Sequence, residues 1–161
     1  MRTIAITRLL YILLIALLSA SAALAQTSSQ TCSLAGEYTD CNKTDPPSLA
    51  IRVVTGRVAE ETGDPEKKAR PTNGACISLF TEKDHKLVAS IIADDKGHFI
   101  FDAIKPGPYR LVVRDPQNTS SAANRSVQIY PRGQGPVPKS LGLVAHLRLA
   151  GRGDCGTISR E

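Results

Sequence analysis

The segment that most constrains this chain is DDKGHFIFDAIKPGPYRLVVRD, residues 94–115. Phe99 and Phe101 alternate with His98, Ile100 and Asp102, and Tyr109, Leu111 and Val113 alternate with Arg110 and Arg114. A period of two cannot place one apolar face on a helix, so both runs are strands. The residues before each run turn the chain. Asp-Asp-Lys-Gly predicts a tight hairpin in which Gly97 takes positive φ. Lys-Pro-Gly-Pro at 105–108 predicts a second corner, with Pro106 presetting φ and Gly107 suited to the next position of a type II turn. No His, Cys or carboxylate here is spaced for chemistry. The segment reads as scaffold, and a binding site is expected in the loops around it.

The same pattern recurs along the chain. Runs at 51–58, 75–81, 87–94, 98–102, 109–115, 125–131 and 143–151 have strand length and composition, with Gly, Pro, Asn and Asp clusters between them. Seven short strands without a helical period predict an all-β sandwich or barrel. The inward faces predict a core of Ile77, Leu79, Ile91, Phe99, Phe101, Tyr109, Leu111, Val113, Val127, Ile129, Leu147 and Leu149. Arg110, Arg114, Ser126 and Gln128 fall on the opposite face, expected to be solvated.

The flanks read differently. Residues 1–25 carry Arg2 and Arg8, a long apolar run and Ala23-Leu24-Ala25, the signature of a secretory signal cleaved after Ala25. The competing reading is a membrane anchor, because Leu9 to Ala25 approaches spanning length. Residues 26–50 are polar and Pro-containing and read as a flexible N-terminal extension. The domain is expected over 51–151, with a C-terminal tail at 152–161. The full chain has 20 basic and 15 acidic residues, a net charge of +5. Loss of the signal removes two arginines and leaves +3. That excess is dispersed, which argues against nucleic acid as a partner and against a polybasic membrane anchor. The expected location is the periplasm or the cell exterior, with no stable membrane insertion once the signal is gone.

An exported chain can keep disulfides, and Cys32, Cys41, Cys76 and Cys155 allow three connectivities. Cys32 and Cys41 bracket a short polar loop, while Cys76 opens one strand and Cys155 follows the last. This spacing favours Cys32 with Cys41 and Cys76 with Cys155. Zinc is the alternative use of four cysteines, but no C-x-x-C or paired His supports it.

Gly56 and Val58, then Gly63, then Gly74, Ala75, Ile77 and Leu79 precede the opening segment. They are followed by Asp94, Gly97, Phe99, Phe101, Pro106, Gly107, Tyr109, Leu111 and Val113. In this order the residues resemble the carboxypeptidase regulatory-like domain over about residues 51–115. The resemblance implies a seven-stranded antiparallel Greek-key sandwich, transthyretin-like (prealbumin-like). It also implies a non-catalytic module without a cofactor, and points to secreted bacterial chains. Two departures are the long loop EETGDPEKKARPTN and the Pro108 directly before Tyr109.

The residues that could carry chemistry are few. His85, His98 and His146 lack the H-x-x-E spacing of a zinc peptidase, and the tail GTISRE departs from the Y-R-G-S-type ending of transthyretin-like hydrolases. DDKGH lacks the oxygens of a calcium loop. Arg152-Gly153-Asp154 is an adhesion tripeptide in form, and Asn42, Asn118 and Asn124 head N-x-[ST] sequons expected in surface loops. The long loops 59–74, 116–124 and 131–142 offer a surface, with Tyr130 and Arg132 positioned to stack on a peptide or sugar. The function expected is protein interaction or structural assembly by an exported module. The alternatives are carbohydrate binding and, more weakly, a transthyretin-like hydrolase.

Overall fold

In a computed structural model of the chain, residues 32, 46–62, 67–117, 121–137, 142–148 and 155–161 are described. They form strands and no helix. The ten strands are β1 (Leu49–Ile51), β2 (Thr55–Glu61), β3 (Arg70–Pro71), β4 (Cys76–Thr81) and β5 (Leu87–Ile92), then β6 (His98–Ile100), β7 (Gly107–Arg114), β8 (Ala122–Ile129), β9 (Leu143–Arg148) and β10 (Thr157–Arg160). One sheet has the order β1-β8-β7-β4-β5. The other runs β10-β9-β2-β3, with β6 also paired to β2.

Every predicted run contains a strand, and the expected 51–58 run breaks into two. Ile51 pairs with Ile129 in the first sheet, whereas Gly56 pairs with Leu143 in the second. The break at Arg52–Val54 carries the chain between layers. This crossing makes two pairs parallel, β1 with β8 and β2 with β9, where antiparallel pairing throughout was expected. Side-chain periodicity assigns faces but carries no strand direction. The segment read as a C-terminal tail supplies β10, whose Ile158 is buried and pairs with Ala145.

The sandwich closes over one core. Ten of the twelve expected residues lie in it: Ile77, Leu79, Phe99, Phe101, Tyr109, Leu111, Val113, Val127, Ile129 and Leu147. Ile91 packs against it half-buried, and Leu149 lies outside the described residues. Ile51, Val54, Val58, Ala75, Ala93, Ala123, Leu143, Ala145 and Ile158 complete it. Burying a Leu, Ile, Val or Phe side chain stabilises by roughly 1.5–3 kcal/mol, so this shared face dominates the fold.

The outer face of the first sheet departs from expectation. Arg110 and Arg114 are only 7% and 6% exposed, and Asn124 and Ser126 beside them are buried too. Arg110 Nη2 donates to Glu82 Oε1 at 2.7 Å, and the Ser126 hydroxyl donates to the same oxygen at 3.0 Å. Two described points of the N-terminal segment, Cys32 and Pro47, are tied to this sheet. Cys32 is bonded to Cys76, opposite Arg114, and the Pro47 carbonyl accepts Arg125 Nη2 at 2.9 Å. Arginine's stem and delocalised charge suit such cover, so an alternating Arg is poor evidence of a wet face.

The disulfide corrects the expected pairing. Cys32 joins Cys76, with Cα atoms 5.7 Å apart, which excludes both Cys32–Cys41 and Cys76–Cys155. Cys76 alternates with the core residue Ile77, so its thiol points out of the first sheet, where Cys32 and Ile92 meet it. Cys155 precedes β10 of the other sheet and is itself disulfide-bonded. Spacing along a chain measures loop size, while pairing is decided by which face each thiol leaves. Asn124 also departs from expectation. It is 2% exposed within β8 and paired to Val112, so folding removes this sequon from reach. Asn42 and Asn118 lie outside the described residues, as does Arg152-Gly153-Asp154.

Candidate functional site: an open sheet edge and its groove

The segment DDKGHFIFD contributes to both walls of a groove between the sheets. Asp94 Oδ1 accepts the backbone N–H of Lys96 at 2.9 Å and of His98 at 2.7 Å. The Asp94 N–H donates to the His98 carbonyl, and the Gly97 N–H donates to the Asp94 carbonyl. Gly97 has φ +77, as expected of a hairpin whose last loop residue is left-handed. The turn does not return β6 to β5. It passes β6 across to the second sheet, where Phe99 pairs with Gly56 and His98 with Arg57.

The two sheets therefore part along this side. Between them runs a groove of about 1090 Å³, walled by Ser90 to Asp94 on one side and by Arg57, His98 and Phe99 on the other. Glu161 also lines it and pairs with Arg57 at 2.8 Å. His98 Nδ1 lies 3.7 Å from Asp94 Oδ2. With Asp94, Asp102 and Glu161 against Arg57, the rim is acid-rich.

Above the groove, β5 forms the edge of its sheet and, among the described residues, pairs with β4 alone. Its sequence LVASII holds no charge and no proline, the usual protections of an edge. The Ala93 N–H donates to the Ala75 carbonyl, so Ala93 and, by alternation, Ile91 and Ala89 turn their backbone groups toward β4. Ser90 and Ile92 then direct theirs to the open side. Leu87 and Val88 are 38% and 44% exposed. Val88 is the extra residue of a bulge, because Leu79 pairs with Ala89 and Phe80 with Leu87. Free ladder groups above an apolar trough are what an extended peptide needs to add itself to a sheet.

The Asp94 carboxyl is held below its ordinary value of 3.8, first by the His98 N–H, and also by the Lys96 N–H and the two nearby side-chain charges. A depressed carboxylate stabilises the fold above its unfolded pKa, and that share is lost as pH falls through the folded value. Wild type is therefore expected to melt above Asp94→Asn near neutrality, with the gap closing below about pH 3.8 in a thermal series. Beside the groove, Ala103 sits at φ +56. An L-residue in the left-handed region costs roughly 1–2 kcal/mol, so Ala103→Gly is expected to raise stability by about 1 kcal/mol in urea titration.

The other sequence candidates lie apart from the groove. The Tyr130 N–H donates to the Ile51 carbonyl, and Gly135, at φ +76, sits against the Tyr130 ring. That side of the ring is occupied by the chain's own loop, while Arg132 is exposed in the adjacent turn. His85 is an exposed turn residue at φ +50, and His146 lies 3.9 Å from Glu61, which also faces Arg148. No cluster of three His, Cys, Asp or Glu side chains suited to a metal occurs among the described residues.

Two facing sheets around a single core, with one edge left open beside a trough, define an all-β sandwich domain. The chain belongs to the family described as BOS complex subunit NOMO1-like, second beta sandwich domain, which matches residues 53–143. Among solved structures, the 5-hydroxyisourate hydrolase of Klebsiella pneumoniae is similar over 68% of this chain and 98% of its own, at 15% identity and a TM-score of 0.46. No curated protein matches the chain.

Proposed function

We propose that this chain is an exported, non-catalytic carboxypeptidase regulatory-like module, cleaved after Ala25, that acts in protein interaction or assembly at the cell envelope or outside it. Its docking element is the β5 edge with the groove beneath. The observation that carries this reading is the unprotected ladder of Ser90 and Ile92 above the apolar trough. Membership of a family of complex subunits supports a role in assembly. The Cys32–Cys76 disulfide suits an oxidising compartment. The absence of catalysis is part of the proposal: His98 and His146 each lie beside a carboxylate on the polar face of the second sheet.

Selection from a random peptide display library tests the reading. Extended, β-branched peptides are expected, with binding by fluorescence polarisation lost in Ser90→Pro, which removes an outward N–H. Selected peptides that bind Ser90→Pro equally well would overturn it. So would a sugar retained on a glycan array at sub-millimolar affinity while no peptide is selected, or turnover of 5-hydroxyisourate that His98→Ala abolishes.

A further inference from the structure

We infer that the occupant of the β5 edge is a second copy of this chain, paired antiparallel about Ser90; this rests on the edge being the docking element. The argument is one of register. An antiparallel two-fold pair must place outward-directed residues opposite each other, which for β5 means Ser90 and Ile92. Centring the axis on Ser90 sets Ser90 against Ser90, Ile92 against Val88 and Ala89 against Ile91. Each contact is then like with like: hydroxyl facing hydroxyl, and apolar side chains facing apolar ones on both surfaces of the joined sheet.

The neighbouring register, centred on Ile91, sets Ile92 against Ser90 and leaves Val88 opposite the Asp94 carboxylate. It sets the polar Ser90 and Asp94 against apolar residues and matches no charge. The register about Ser90 instead carries Lys86, the last residue before β5, toward Asp94 of the second copy, twice by symmetry. Asp94 Oδ1 is engaged by the hairpin's own N–H groups, whereas Oδ2 lies 3.7 Å from His98 Nδ1, beyond hydrogen-bond distance. The acid-rich rim thus meets a lysine supplied by its partner. The two-fold closes the pair, and the Val88 bulge ends the ladder on each side with only the long Lys86 side chain reaching past it, so the joint is short and does not propagate into a fibre.

Sedimentation equilibrium of the full secreted chain over a thousandfold concentration range tests this. A monomer–dimer equilibrium is expected, weakened at least tenfold by Lys86→Glu and by Ser90→Pro. Amide hydrogen exchange at Ser90 and Ile92 is expected to slow as concentration rises in the wild type. Hydrogen-bonded partners in an antiparallel pair sit about 5.5 Å apart at Cα, within disulfide range. Ser90→Cys is therefore expected to cross-link as a dimer through the substituted position, located by peptide mapping. A wild-type chain that stays monomeric throughout, or a dimer that Ser90→Pro leaves intact while its circular dichroism is unchanged, overturns the inference. A monomer that still captures extended peptides at this edge would sink the second copy as occupant and leave the docking role standing. Loss of both would remove the docking role as well.

Discussion

Removing the Cys32–Cys76 bridge by paired Cys→Ala substitution is expected to lower the unfolding free energy by about 2–4 kcal/mol. The bridge spans a sequence separation of 44. Closing a loop of that order in the denatured chain corresponds to about 4 kcal/mol in the chain-entropy account. The lower bound allows for residual order in the reduced chain. Urea unfolding with a single cooperative transition reads the effect directly, and a change under 1 kcal/mol would contradict it. Peptide mapping without reductant gives an independent result, with Cys32 and Cys76 expected in one cross-linked fragment. The loss should exceed that of an ordinary surface change because Cys76 is buried, with Cys32, Ile92 and the Ser78 hydroxyl, 3.8 Å from its sulfur, on that face.

Gly97→Val is expected to cost about 3 kcal/mol, with Gly97→Ala somewhat less. Two separate penalties meet at this residue. Its φ of +77 is disfavoured for any L-residue, by roughly 1–2 kcal/mol. A Cβ there would also stand 2.5 Å from the Val58 carbonyl oxygen and 3.3 Å from the Thr72 nitrogen, both backbone atoms. The Gly97 carbonyl accepts the Val58 N–H at 2.8 Å, so the turn cannot back away without breaking its tie to β2. Overpacking of this kind adds roughly 1–3 kcal/mol. Chemical denaturation measures the sum. A substituted protein within 0.5 kcal/mol of wild type would mean that the hairpin does not sit against β2 as described.

How much of this was legible in the sequence depends on what periodicity can carry. Alternation reports which side of a strand is apolar, and Phe99, Phe101, Leu111 and Val113 are buried where it placed them. It is silent on strand neighbours. Nothing in LVASII distinguishes an edge from a sheet centre, so the groove's location could be expected near the hairpin while its open ladder could not. Arg110 and Arg114 were read as solvated because charge usually means water, and tertiary cover reversed that. Ala122 and Ala123 were too small and plain to extend β8 on propensity, which left Asn124 in an expected loop although it stands mid-strand. Tyr130 and Arg132 have side chains suited to stacking, but the approach of Gly135 to that ring depends on how the 131–135 turn folds back, which residue type does not encode.

The parallel union of β2 with β9 bears on the order of events during synthesis. Gly56 waits for Leu143, and Glu61 for Arg148, so one flank of the second sheet has no partner until most of the chain has emerged. Topologies dominated by such distant pairings fold slowly, on the scale of milliseconds to seconds. Under the export proposed above, the chain closes only after crossing a membrane and gains from that delay. Its first half, lacking its last strands, remains open enough to be threaded, and the sandwich completes itself only once β9 and β10 arrive.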